Sequence, residues 1–289
     1  MKERRRSSDS SLPVRFSGTE RGSAHARWYQ TIADHYDKMY DPKRATRAYS
    51  FLRHLFLRYA VGPEVLDVAC GTFAIDVPLV KRGYHVAGRD RSEEMLRVAR
   101  RNLRTAGVTA DVGRADMRSL RLGRRFDAVL CLGTAFNYLA SSADASKALQ
   151  TFRDQIRPGG VLVLDLTNFE ALIQRPKNVR AEVDYQSVDG TKIAIFAFNE
   201  QDLRRRIHHA RFLTVVQRRD RIDIGFDEAP LHIWKKEELA QALRAAGFRP
   251  LEWWATLGLG RDMNDPEAPE WCPSPLPLTS ENATRPQSR

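Results

Sequence analysis

Apolar residues change their spacing three times along this chain. Ala48, Phe51, Leu52, Leu55 and Tyr59 recur at helical intervals behind an Asp41-Pro42 start signal, and predict the clearer of two helices before the first strand. From residue 65, short apolar runs alternate with helical stripes. Val65 to Ala69 predicts a strand, Val77 to Arg82 a short helix ended by Gly83, and Tyr84 to Gly88 a second strand. Ser92 is placed to cap the next helix, Glu93 and Glu94 suit its positive end, and Met95, Ala99 and Leu103 form its buried stripe. Val108 to Val112 and Phe126 to Leu132 read as strands three and four. Ala145, Ala148, Leu149, Phe152 and Ile156 mark an amphipathic helix that Pro158-Gly159-Gly160 breaks, and Val161 to Leu166 follows as strand five.

Strand and helix units repeated at this length predict an α/β fold, a parallel sheet with helices on both faces and ligands at the strand carboxyl ends. Between residues 172 and 231 the period becomes alternating, in Lys192 to Phe198, Arg211 to Gln217 and Arg221 to Phe226, which predicts an antiparallel β insertion. Leu239, Ala242, Leu243 and Ala246, stopped by Gly247, give one more helix before a strand from Pro250 to Leu257. The expected organisation is a basic, disordered leader over 1–27, a core over 28–171, the insertion over 172–231, the end of the core over 232–259, and an irregular, Pro-rich tail over 260–289.

Composition narrows the class. A hydrophobic content of 42% over 289 residues supports a sizeable core. No apolar run is long enough to span a membrane, and the leader has no apolar middle of a secretory signal, so a soluble, cytoplasmic protein is expected. Cys70, Cys131 and Cys272 are far apart, with no spacing that suggests zinc or a redox pair, and no metal is expected. The net charge of +11 gathers in the leader and between Arg204 and Arg221. In the second cluster arginines alternate with apolar residues, as on the solvated face of a strand pair, and nucleic acid is not the expected partner.

The chemistry-bearing stretch is Val65-Leu66-Asp67-Val68-Ala69-Cys70-Gly71-Thr72-Phe73, a strand entering a tight turn of small residues that let a ligand approach the backbone. In Gly88-Arg89-Asp90 a carboxylate closes the second strand, where it can accept two sugar hydroxyls. On these features alone NAD and S-adenosylmethionine (SAM) fit equally. The run from Val65 to Arg100, with Asp116-Met117 and Phe126-Asp127-Ala128-Val129-Leu130-Cys131-Leu132-Gly133, resembles the core of class I SAM-dependent methyltransferases. Cys131 to Leu139 and Asp165-Leu166-Thr167-Asn168 are most similar to small-molecule N-methyltransferases, of the glycine N-methyltransferase and amino-sugar N,N-dimethyltransferase type.

That resemblance implies a Rossmann-like sheet with SAM as cofactor and a small-molecule methyl acceptor, most simply an amine. It puts Asp67, Ala69 and Gly71 at the methionine-side turn, Asp90 at the ribose with Arg91 and Met95 beside it, and Asp116 with Met117 at the adenine. Leu132 and Gly133 become the floor under the sulfonium. Arg47, with Arg44 as its competitor, is placed for the SAM carboxylate, Tyr40 and Tyr36 in a segment that folds over the cofactor, and Tyr138, Asn137 and Tyr36 at the acceptor. Phe73 stands where relatives carry the last glycine of the turn, so its ring either points away or crowds the cofactor. Tyr138 stands where amino-sugar enzymes often carry histidine. The insertion is expected to be a substrate cap or a homodimer contact. An O-methyltransferase, an RNA methyltransferase and a SAM-fold protein without activity remain open as alternatives.

Overall fold

A computed structural model of the chain describes residues 13–17, 28–29, 32–169, 186–188, 191–254 and 275–280. Its larger sheet has seven strands. Five run parallel: β2 (Glu64–Asp67), β3 (His85–Asp90), β4 (Asp111–Arg114), β5 (Phe126–Cys131) and β6 (Ile156–Asp165). With β11 (Phe248–Pro250) and β12 (Pro275–Ser280) the order is β11-β12-β6-β5-β2-β3-β4. The order reverses between β2 and β5, which opens a crevice at their carboxyl ends.

Helices cover both faces, as the alternating pattern requires. On one side α1 (Arg44–Arg58), α2 (Val77–Val80) and α3 (Glu93–Ala106) pack with Val65, Ala128 and Leu130 of the strands. On the other, α4 (Ser142–Gln155) and α5 (Lys236–Ala245) enclose Leu66, Val129 and Leu162. Neighbouring residues of one strand thus enter opposite cores, and so the strands read as continuous apolar runs. The Ser92 hydroxyl accepts the Met95 N–H at 3.2 Å, and Ser141 caps α4 in the same way.

The second sheet is the insertion. β8 (Thr191–Asp202), β9 (Ile207–Gln217) and β10 (Ile222–His232) form an antiparallel meander, extended by the short β7 (Gln186–Val188). The leader expected to be disordered supplies β1 (Val14–Ser17), parallel to Ile222–Gly225 of β10. The rest of the leader, with all of its basic residues but Arg15, lies outside the described residues.

The tail also departs from expectation. In place of irregular chain, its residues 275–280 form β12, antiparallel to β6 and β11. Prolines at 275 and 277 hide a strand whose order comes from pairing with residues more than a hundred positions away. Three boundaries move as well. Of the strand expected from Pro250 to Leu257, Pro250 ends the strand Phe248–Pro250, residues 251–254 are in no strand and 255–257 lie outside the described residues; the third parallel strand starts at Asp111 rather than Val108, and β6 starts at Ile156, paired with Phe126 ahead of a register shift. No helix among the described residues is long and apolar enough to cross a membrane.

Candidate functional site

A cavity of about 590 Å³ opens at the carboxyl ends of β2, β3 and β5. Its floor is the turn after β2. The Ala69 N–H donates to Asp67 Oδ1 at 2.9 Å, which folds the chain back at the strand end. Gly71 has φ of +51°, a conformation that favours glycine, and its N–H donates to Asp90 Oδ2 at 2.8 Å. Asp90 Oδ1 accepts the Ser92 N–H at 2.8 Å, so one carboxylate joins the turn to the start of α3. Each oxygen keeps a further lone pair for a ligand hydroxyl.

Phe73 points away from this space. It takes φ of +60°, and its ring is fully buried in the core beneath β3. Gly88 makes the room, since a Cβ there would lie 2.7 Å from Phe73 Cε2. A left-handed backbone costs a non-glycine residue about 1–2 kcal/mol, which burial of an aromatic side chain offsets. The obstruction that the sequence raised is absent.

Buried carboxyls surround the floor. Burial pushes Asp67 up to about 7, the Ala69 N–H opposing and Asp90 adding to the shift, and pushes Asp165 up to about 6 against the Gly133 N–H that donates to it at 2.9 Å. Asp76 is fully buried, and neither of its oxygens has a hydrogen-bond partner among the described residues; burial, with the nearby Asp67 charge, holds it protonated well above the carboxylate range. Asp116 is the reverse case. Arg118 hydrogen-bonds it through Nη2 at 2.7 Å and keeps it below the usual range.

The roof comes from elsewhere. Tyr36 lies in a one-turn helix over Tyr36–Met39, and Tyr138 in another over Ala135–Tyr138. The hydroxyls of Tyr29 and Tyr138 approach to 3.5 Å, and the Tyr40 hydroxyl donates to Tyr36 at 3.2 Å. Burial raises Tyr138 to about 12, so its phenol stays protonated. The Asp37 carboxylate accepts from the Thr72 hydroxyl and from Asn102 Nδ2 (2.7 Å), which clips the segment carrying Tyr36 to the floor turn.

Most residues singled out in the sequence meet at this cavity: Asp67, Ala69, Gly71, Asp90, Arg91, Met95, Asp116, Met117, Leu132, Gly133, Tyr36 and Tyr138 all line it. Three do not. Arg47 lies outside and pairs with Asp41 at 2.9 Å, whereas its competitor Arg44 lines the cavity, with Nη2 3.6 Å from where a Gly133 Cβ would stand. One helical turn separates the two arginines, and only the packing of α1 decides which faces inward. Asn137 is fully buried and spent on the fold: its Nδ2 donates to the His232 carbonyl at 2.9 Å, and its Oδ1 accepts the Thr167 N–H at 3.0 Å. Tyr40 stands behind Tyr36, with the Arg44 guanidinium stacked 4.1 Å from its ring centre. Tyr29, Glu228 and Pro230 also line the cavity and carried no local signal beyond the aromatic pair Trp28-Tyr29.

Residues 65–160 match the family model described as a methyltransferase domain. The match is confined to this segment. It spans β2 to the first half of β6, and so holds the whole floor from Asp67 to Gly133, while Tyr29, Tyr36, Arg44 and Glu228 lie outside it. The chain is similar to a glycine/sarcosine N-methyltransferase of Parasynechococcus marenigrum (strain WH8102), 31% identical over 155 residues, covering 53% of this chain and 55% of that one. It is also similar to the dTDP-3-amino-3,4,6-trideoxy-alpha-D-glucopyranose N,N-dimethyltransferase of Streptomyces venezuelae, 36% identical over 102 residues, covering 35% and 41%. The chain thus spans about half the length of the curated relatives it matches. Among solved structures, Streptomyces venezuelae DesVI superposes with a TM-score of 0.68 at 22% identity, over 91% of this chain and 100% of that one, so the likeness of fold extends well beyond the matched segment.

Proposed function

We propose that this protein transfers a methyl group from SAM to the nitrogen of a small-molecule amine. The observation that carries the reading is Asp90: a half-buried carboxylate at the end of β3, fixed by two backbone N–H groups and facing a cavity from which Phe73 is withdrawn. These residues fit a nucleoside cofactor. Asp90 would take the ribose hydroxyls, Asp116 and Met117 the adenine, and Arg44 the carboxylate, with Asp67, Ala69, Gly71, Leu132 and Gly133 along the methionine arm. When bound, SAM supplies an electrophilic methyl carbon with a good leaving group.

The chain's task is then to hold an acceptor in line and keep water out. Positioning of that kind supplies roughly 7–11 kcal/mol. Tyr36, Tyr138 and Tyr29 form the wall on which an acceptor would rest, their protonated phenols offering directional hydrogen bonds. The amine-methylating relatives favour nitrogen as the acceptor atom. Glu228 and Pro230 line the cavity, which favours the insertion as a substrate cap over a dimer contact. Buried free thiols at Cys70 and Cys131 suit the cytoplasm.

Calorimetric titration of the full chain with SAM tests the reading, together with release of demethylated cofactor in the presence of small amines. Saturable one-to-one binding is expected. An absence of binding overturns the proposal.

A further inference from the structure

The roof contains one anion. Of the residues that line it, Tyr29, Tyr36, Tyr138 and Pro230 are uncharged, Arg44 is the cation already given to the cofactor carboxylate, and Glu228 is the carboxylate. Glu228 sits on β10 beyond Gly225, where β1 ends, so that among the described residues this edge of the strand carries no further partner strand. The carboxylate is prepared rather than neutralised. Its Oε1 meets His209 Nδ1 at 2.7 Å and its Oε2 meets Arg211 Nε at 3.3 Å. Arg211 is shared, since its Nη1 binds Glu200 at 2.7 Å, and two carboxylates thereby divide one guanidinium. Burial works against ionisation of Glu228, but the His209 and Arg211 bonds outweigh it and hold the group below the usual range. Glu228 therefore stays a carboxylate and binds rather than takes up a proton.

We propose that Glu228, oriented by His209 and Arg211, is the acceptor-binding anion of the cavity, so that the acceptor arrives as an ammonium ion and carries no carboxylate next to its nitrogen. The inference rests on the amine-methylating reading and names its substrate class. An ammonium ion at the mouth adds a cation to the two carboxylates that share Arg211. The nitrogen sheds its proton to solvent at the mouth before it enters the phenol-lined interior, where desolvation disfavours the charged form. An amino acid such as glycine would set its carboxylate against Glu228, where Arg211 is already divided between two carboxylates and Arg44 is given to the cofactor. The cavity thus selects hydroxylated or apolar amines over amino acids, unlike the glycine-methylating relatives.

The test titrates the full chain, saturated with S-adenosylhomocysteine, with ethanolamine, glucosamine, glycine and ethylene glycol in a calorimeter. Ethanolamine or glucosamine is expected to bind, with glycine and ethylene glycol at least about tenfold weaker, the loss of one charge-assisted hydrogen bond. Glu228→Gln should weaken the amines by about the same factor with S-adenosylhomocysteine affinity unchanged, and Glu228→Asp should recover part of it. Amines that bind Glu228→Gln as tightly as wild type overturn the proposal. So does glycine binding as well as ethanolamine, or no amine binding while S-adenosylhomocysteine does. Failure of S-adenosylhomocysteine itself to bind overturns the cofactor reading instead.

Discussion

The floor of the cavity is made of backbone and of side chains within a few residues of it, whereas the roof is assembled from side chains in four separate stretches of chain. Asp67, Gly71 and Asp90 belong to two strand ends and the turn after the first, where Asp67 accepts the Ala69 N–H at 2.9 Å and Asp90 the Gly71 N–H at 2.8 Å. Tyr29, Tyr36, Tyr138 and Glu228 converge only because the insertion sheet and the clip of Asp37 to Thr72 bring them over that floor. A floor built this way suits a cofactor of constant structure, while a roof of independent pieces leaves room for the acceptor to vary without disturbing the fold.

If this division of labour is right, damage to the floor should appear in cofactor affinity and damage to the roof in turnover. The largest effect is expected for Asp90→Ala, which strands the Gly71 and Ser92 N–H groups and removes the sugar contact. Charged hydrogen bonds of about 1.5–3 kcal/mol each predict SAM binding weaker by about 100-fold or more in calorimetry. Next comes the pair of arginines. Arg44→Ala should weaken SAM by about tenfold, the loss of one such bond, and Arg47→Ala by less than about twofold, because an exposed ion pair of its kind contributes little. Equal losses from the two would contradict the placement of Arg44.

Tyr138→Phe probes the roof with a smaller change. Removing one neutral hydrogen bond, about 0.5–1.5 kcal/mol, should lower kcat by roughly three- to tenfold with the SAM dissociation constant unchanged, and unchanged turnover would take Tyr138 out of the acceptor wall. The mildest test uses pH. Because burial holds Asp67 near 7 in the folded protein against 3.8 ordinarily, the folded state keeps a proton that the unfolded chain has released between those values. Stability from this group is full below about pH 4 and is lost as pH rises through about 7. The melting temperature of wild type relative to Asp67→Asn should therefore fall across that window and level off above it. A flat difference would mean that Asp67 is ionised throughout.

Two residues that the structure places away from the cavity, Arg47 and Asn137, show where sequence reasoning ended. Arg44 and Arg47 lie one helical turn apart on an amphipathic helix, and nothing local distinguishes them; the packing of α1 turns the first toward Gly133 and leaves the second to Asp41. Asn137 has the chemistry of a ligand contact, but its amide closes the join between β6 and β10. Phe73 is the converse: conspicuous in sequence as a misplaced bulk, it is made harmless by Gly88 on the neighbouring strand, fifteen positions later.

What residue order alone determined is whatever depends on neighbours within about twenty positions. That includes the alternation of strand and helix, the capped start of α3, the turn after β2 and the acid that closes β3, because backbone hydrogen bonding and side-chain periodicity act over that range. Only the tertiary structure decided the pairings between distant segments: the leader strand on β10, the proline-bearing tail strand beside β6, the inward arginine and the tyrosines gathered above the floor. Their free energy comes from surfaces that meet after the chain has folded, and no short window of sequence contains both partners.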